Sequence, residues 1–295
     1  MFKSGFIGIV GRPNVGKSTL LNSILGESVA ITSPKPQTTR NRIMGIRHLA
    51  GGQLIFLDTP GIHKPHKALN EAMVKTAQNV FADVDVILVL VAADAALGSE
   101  DLSLFAALKS YEQRVILGVN KADLIRKELL LPFIDAACQS FPFRACVPLC
   151  ARTGEGVPAL LDEILAVLPE GPPYFPEDMV TDRPERFFAA EIIREKILNF
   201  THREIPYATA VVVESFREEG DKGLIGIEAT INVERDSQKK ILVGRQGAML
   251  KRIGTAARLD MERFFAARIF LKLFVRVQKD WTSNKRMIRE FGYDQ

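Results

Sequence analysis

A chain of 295 residues, 47% hydrophobic and 25% charged, is long enough for two domains and reads as a soluble globular protein with a substantial core. No apolar run approaches a membrane span, and Cys138, Cys146 and Cys150, odd in number and without metal-ligand spacing, read as buried reduced thiols rather than a disulfide or zinc framework. The net charge of +4 is unevenly held: residues 1–182 carry 17 basic against 19 acidic side chains, residues 183–295 carry 22 against 16, which suits nucleic acid or a plain solvated face.

The first residues run straight into a glycine-rich loop, leaving no room for a cleavable signal. From there to about residue 168, apolar strand-like runs alternate with amphipathic stretches. Strands are predicted over 6–10, 43–48, 54–57, 84–91, 115–119 and 145–149, with Gly51 and Gly52 marking an antiparallel turn. Helices are predicted after Gly16 and over 68–81, 100–111, 129–141 and 157–168. The alternation predicts an α/β domain over 1–170: a mostly parallel sheet, helices on both faces, and ligand loops at the carboxyl ends of the strands.

Four loops fall at those ends. GRPNVGKS, from Gly11 to Ser18, matches the phosphate-binding pattern G-x-x-x-x-G-K-[ST] between a strand and a helix. Its backbone N–H groups suit phosphate oxygens, Lys17 suits the β- and γ-phosphates, and the Ser18 hydroxyl suits Mg²⁺. In DTPG, Asp58 is placed to hold Mg²⁺ through water, and the Gly61 amide to meet a γ-phosphate. In NKAD, the Asp123 carboxylate can accept from both the ring N–H and the exocyclic amine of guanine, while the Lys121 stem packs on the base. CARTGEG, beginning at Cys150, can offer a backbone amide to the guanine oxygen.

Taken together, these loops resemble those of P-loop GTPases, and GRPNVGKSTLLN with DTPGI is similar to the group containing the Era, MnmE/TrmE and Der/EngA families. The resemblance implies GTP as substrate, GDP as product and Mg²⁺ as cofactor. It implies a nucleotide-contacting set of Gly11, Arg12, Pro13, Asn14, Val15, Gly16, Lys17, Ser18, Thr19, Gln37, Thr38, Thr39, Asp58, Thr59, Pro60, Gly61, Ile62, Asn120, Lys121, Ala122, Asp123, Cys150, Ala151 and Arg152. Lys17, Thr39, Asp58 and Gly61 carry the catalytic expectation, with Thr39, rather than Thr38, reaching Mg²⁺ and the γ-phosphate. Ile62 stands where Ras-like enzymes place a water-orienting Gln, so slow intrinsic hydrolysis is expected. Asn14 matches an Asn that helps bind K⁺ in several relatives, which implies potassium stimulation. Cys150 departs from the usual Ser of its loop; the backbone contact from Ala151 is expected to survive, and the side-chain hydrogen bond is in question. The polar segment 61–75 resembles a mobile switch; His63 and His66 within it lack a third ligand and read as exposed.

Residues 171–182 are rich in proline, with no apolar period, and read as an extended linker. Beyond it come a helix over 186–200 and strands over 208–216 and 225–233. Residues 238–277 then run as a short strand, a glycine loop, a long helix and a closing strand. GRQG, with Gly244, Arg245, Gln246 and Gly247, fits the G-x-x-G loop of a KH domain. The element order helix, strand, strand, helix, helix, strand puts that loop between two helical pieces. Gly244–Gly247, Lys251 and Arg252 are the candidate RNA-binding residues, within a basic surround that includes Arg258. Trp281 is read either as a base-stacking platform or as a packing residue.

One GTPase domain followed by a type II KH domain over 183–295 resembles the Era family. That implies a cytoplasmic, monomeric GTP-hydrolysing switch binding the 3′ region of small-subunit ribosomal RNA and assisting small-subunit assembly, with peripheral inner-membrane association as an added trait. Two other readings stand beside it: a membrane-associated signalling GTPase whose basic tail meets lipid, and a KH-like fold kept for protein docking.

Overall fold

The computed structural model describes residues 1–33, 35, 40–58, 81, 83–219 and 223–293. They form two compact units, the first from residues 1–30, 40–58, 81 and 83–182, the second from residues 183–293 with 31–33 and 35.

In the first unit the strands are β1 (Lys3–Val10), β2 (Ile43–Leu49), β3 (Gly52–Asp58), β4 (Val86–Ala92), β5 (Val115–Asn120) and β6 (Ala145–Pro148). They pair in the order β2-β3-β1-β4-β5-β6. Every pair is parallel except β2 with β3, whose antiparallel register sets Leu49 opposite Gly52 across the predicted turn. The interior strands β4 and β5 are buried along their whole length, which is why VILVLVA and VILGVN are unbroken apolar runs rather than alternating ones. Helices α1 (Lys17–Leu25), α2 (Ser99–Ala107), α3 (Lys127–Ser140) and α4 (Val157–Val167) follow β1, β4, β5 and β6 in turn. In α4 the buried residues Val157, Leu160, Leu161 and Ile164 make one stripe at helical spacing, each such side chain worth about 2 kcal/mol of burial. The helix expected over 68–81 lies, Phe81 apart, outside the described residues.

The proline-rich run expected to be a linker is part of the first unit. Gln53, fully buried, donates from Nε2 to the Phe175 carbonyl (2.7 Å) and accepts at Oε1 from the Tyr174 and Phe175 amides (2.7 and 3.0 Å). Ser4 Oγ donates to the Pro172 carbonyl and the Ile46 amide to the Val180 carbonyl. Extended backbone rich in proline has few donors of its own but keeps its carbonyls, and the first unit satisfies them.

In the second unit, α5 (Glu185–Phe200), β7 (Thr209–Glu219), β8 (Leu224–Val233), α6 (Asp236–Val243), α7 (Ala248–Phe265) and β9 (Arg268–Val277) follow the expected order. The sheet order is β7-β8-β9, antiparallel then parallel. Ile193 and Ile197 of α5 and Ile253, Ala257 and Met261 of α7 form one core with Ile227, Ala229 and Ile231 of β8. The short strand expected at 238–243 is instead helix α6. Gln238 Oε1 accepts from the Glu234 and Arg235 amides (2.9 and 3.1 Å), closing the helix start. A final helix, α8 (Lys285–Glu290), is capped by Asn284, whose side chain accepts from the Arg286 and Met287 amides. Trp281 is a packing residue: it is fully buried, donates to the Ala208 carbonyl (3.0 Å) and stacks on Tyr293.

The expectation of three buried thiols holds for Cys150 alone. Cys138 is exposed and Cys146 half-buried, because α3 buries only Ala137 and β6 is the edge of its sheet.

Candidate functional site

The carboxyl ends of β1, β5 and β6 carry three of the four loops read from the sequence, and β3 ends on Asp58, the first residue of the fourth. Between β1 and α1 the chain turns through left-handed residues at Asn14 (φ 64°) and Gly16 (φ 103°). Gly16 begins α1 with no side chain capping it, so the N-terminal amides present their positive ends to the loop. Lys17, 7% exposed, folds back so that Nζ donates to the carbonyls of Gly11 (3.1 Å) and Arg12 (2.9 Å). Its pKa drops from the ordinary 10.5 to about 8, because burial disfavours the ammonium more than nearby Asp58 favours it.

That depression has a measurable sign. Between about pH 8 and 10.5 the unfolded chain holds a proton that the nucleotide-free fold has lost, so stability rises with pH across this window. Phosphate beside Nζ reverses the shift. Nucleotide binding near pH 9 is therefore expected to take up nearly one proton, read from the buffer dependence of the calorimetric enthalpy; no uptake would show that Lys17 does not face the phosphates.

At the end of β3, fully buried Asp58 accepts at Oδ2 from the Ser18 hydroxyl, 2.8 Å away. A serine oxygen and a carboxylate oxygen in contact, at the base of a loop lined with amides, form a hard donor set that fits Mg²⁺. The glycine at Gly11 completes the cradle: a β-carbon there would stand 2.3 Å from the Leu90 carbonyl oxygen.

Asn120 joins the phosphate loop to the base-side loops. Its Nδ2 donates to the Val15 carbonyl (2.7 Å), and its Oδ1 accepts from the Ala151 amide (2.9 Å). Lys121, in the left-handed region at φ 61°, pairs with Asp94 at 3.0 Å. Asp123 lies at the surface with Arg152 Nη2 at 3.0 Å. Its carboxyl is held below the usual carboxylate range, first by the Cys150 thiol and also by Arg152. The Cys150 thiol thus acts on Asp123 where the usual residue of this loop is Ser.

One contact escaped the sequence reading. Arg12 Nε pairs with Asp101 Oδ1 (2.8 Å) at the start of α2, and Asp101 Oδ2 accepts from the Gly98 amide (2.8 Å). The acidic first turn of α2 was the available signal; the partner, far off in sequence, was not. The expected site residues Gln37, Thr38, Thr39, Thr59, Pro60, Gly61 and Ile62, and with them His63 and His66, lie outside the described residues.

The second unit carries a separate constellation. GRQG connects α6 to α7 through three positive φ angles, at Gly244 (72°), Gln246 (51°) and Gly247 (79°). A β-carbon at Gly244 would meet Met249 at 2.8 Å, whereas at Gly247 only the dihedral demands glycine. Beside the loop runs a groove of about 420 Å³ lined by Gly247 of the loop, Leu250, Lys251, Gly254, Thr255 and Arg258 of α7, and Leu271 and Leu273 of β9. Arg245 and Gln246 are exposed at its mouth and Lys251 lines it. Arg252 instead lies over the Phe200 ring, 4.2 Å from its centroid, away from the groove lining. Arg258 pairs with Glu262 at 2.7 Å.

A family described as 50S ribosome-binding GTPase matches residues 6–121, and the KH domain family matches residues 204–282. GTPase Era of Syntrophus aciditrophicus is 61% identical over 295 residues, covering 100% of this chain and 96% of its own. The chain belongs to the Era family of GTPases. GTPase Era of Geotalea daltonii is 55% identical, covering 99% of this chain and 98% of its own. Among solved structures, Era in complex with MgGDPNP and nucleotides 1506–1542 of 16S ribosomal RNA matches with a TM-score of 0.96 at 39% identity, over 100% of both chains. An Aquifex aeolicus Era tyrosine-to-alanine variant bound to GDP.AlF4- matches with a TM-score of 0.95, also at 39% identity over 100% of both. The Era-family chain is therefore a GTP-binding, GTP-hydrolysing protein with a C-terminal KH domain. The GTPase match stops at Lys121, so Asp123 and Cys150–Arg152 rest on their geometry.

Proposed function

We propose that this Era-family chain is a GTP-driven switch that binds the 3′ region of small-subunit ribosomal RNA and assists assembly of the small ribosomal subunit. The observation that carries the nucleotide half is Asn120, whose two hydrogen bonds hold the phosphate loop and the guanine loop as one rigid site. The RNA half is supported by the strained GRQG turn beside a groove with Lys251, and by the whole-chain likeness to an Era bound to 16S ribosomal RNA.

In this reading the α1 amides and Lys17 orient the phosphates. Ser18 and Thr39 would hold Mg²⁺, with Asp58 supporting it through water. Mg²⁺, when bound, neutralises charge on the transferred phosphoryl group. Asp123 accepts from guanine while the Ala151 amide, already ordered by Asn120, meets the guanine oxygen. The Ile62 side chain cannot hydrogen-bond water, which makes intrinsic hydrolysis slow. Asn14, exposed in the loop with φ 64°, supports a K⁺ ion beside the phosphates. Hydrolysis is expected to run on the order of tenfold faster in K⁺ than in Na⁺, and equal rates by phosphate release would remove that role.

The domain boundaries that go with this reading are a GTPase domain over 1–170, the 171–182 segment and a KH domain over 183–295. We place the protein in the cytoplasm, as a monomer, because ribosomal RNA is its proposed target. No helix among the described residues is long and apolar enough to cross a membrane, and peripheral membrane association is a separate trait that the RNA reading does not require.

Equilibrium binding of a short 3′-end small-subunit RNA, with and without a non-hydrolysable GTP analogue, tests the whole reading. The analogue is expected to tighten RNA binding, and RNA to tighten analogue binding by the same factor, since coupling is reciprocal. Replacing Arg245 and Gln246 together with Asp is expected to weaken RNA binding by at least about tenfold while GTP hydrolysis without RNA is unchanged. Unchanged RNA affinity in that variant would favour protein docking.

A further inference from the structure

Cys138 on α3 and Cys146 on β6 bring their sulfurs to 3.1 Å, and both are free thiols. Neither touches nucleotide in the site described above. The connection between them is clamped rather than loose. Phe141 and Phe143 pack on each other (4.8 Å between ring centroids) and both pack on Phe105 of α2 (6.3 and 5.1 Å). The Phe141 amide donates to the Ala137 carbonyl and the Arg144 amide to the Val115 carbonyl, fixing the end of α3 and the entry to β6. A disulfide needs its sulfurs about 2.05 Å apart, so side-chain rotation has only about 1 Å to close.

We propose that Cys138 and Cys146 form a reversible thiol–disulfide site whose co-substrate is a low-molecular-weight disulfide. The two positions divide the chemistry. Cys138 is exposed, so its thiolate attacks one sulfur of the small disulfide; one small thiol leaves, taking the proton, and a mixed disulfide forms on Cys138. Cys146 then gives its proton to solvent and attacks Cys138 Sγ, and the second small thiol leaves. Two protein thiols are oxidised and one small disulfide is reduced to two thiols.

The order is enforced by the surroundings. Cys146 is pushed up to about 12 by burial first, then by its hydrogen bond to Cys138 and by charge on Cys138. The last two causes vanish once the Cys138 sulfur is capped, so Cys146 becomes a better nucleophile when its partner is a mixed disulfide. Cys150, buried in the guanine loop at 3% exposure, stays outside the reaction and serves as an internal reference.

The test is to incubate the full chain with oxidised glutathione, quench by alkylation, and measure intact mass and peptide map. The expected product has lost two hydrogens, carries one cross-link joining Cys138 to Cys146, leaves Cys150 alkylatable after unfolding, and returns to the starting mass with dithiothreitol. Cys146→Ser is expected to stop at a glutathione adduct on Cys138, and Cys138→Ser to form neither adduct nor cross-link at a comparable rate. A persistent glutathione adduct on the unsubstituted chain, a cross-link to Cys150, or no reaction at all would overturn the assignment.

Discussion

Replacing Asp123 with Asn is expected to turn the site from guanine to xanthine. The carboxylate is the only acceptor-only side chain in the NKAD loop, and the Cys150 thiol and Arg152 keep it ionised. Guanine offers it two donors. An Asn amide in the same place meets one of them with its own N–H, leaving buried groups unpaired. Sites built on such polar pairing reject the mismatched partner by roughly 10⁴-fold, and the loss of GTP affinity is expected to approach that. Xanthine carries an oxygen where guanine carries its amine, and the Asn N–H can donate to it. Competition of xanthosine and guanosine triphosphates for the variant reads the switch. Equal loss of both would mean that Asp123 only supports the loop. The Arg152 pairing does not compete seriously with the base, since Arg152 is 76% exposed and surface pairs of this kind are worth under about 1 kcal/mol.

The parts of this site that were legible in the sequence are those where one local rule decides the outcome. A phosphate loop needs a strand before it, glycines within it and a helix after it, and all three were contiguous. The alternation of apolar runs gave the parallel sheet for the same reason: interior strands buried on both faces cannot alternate. Misreadings arose where a particular side-chain partner decides. KKILV has the composition of a strand, yet Gln238 closes a helix start before it. The proline-rich run looked like a spacer because the group that ties it down, Gln53, lies in an unrelated strand. Cysteine content said nothing of geometry, so the 3.1 Å approach of Cys138 and Cys146 was invisible. Asn120 was expected at the nucleotide, but its work as a tie between three loops is a property of the fold.

That tie makes Gly16→Ala a damaging small change. A β-carbon at Gly16 would stand 2.2 Å from Asn120 Nδ2, with the backbone at φ 103°, where an L side chain is strained. Asn120 must rotate away, and both of its hydrogen bonds, to the Val15 carbonyl and from the Ala151 amide, are lost together. Each lost bond costs about 1 kcal/mol net and more where a partner stays buried, and the left-handed backbone adds about 1–2 kcal/mol. The two lost bonds, with partners left buried, predict a rise on the order of 100-fold in the dissociation constant for GDP, and the backbone strain lowers Tm. Gly26→Ala is the matched control. Gly26 also sits in the left-handed region, at φ 75°, but a β-carbon there has nothing within 4 Å. It is expected to lower Tm through strain alone and to leave nucleotide affinity intact. If Gly16→Ala behaves like Gly26→Ala, the Asn120 tie is incidental; if only Gly16→Ala loses nucleotide, the guanine loop is held in place through the phosphate loop and not by the base.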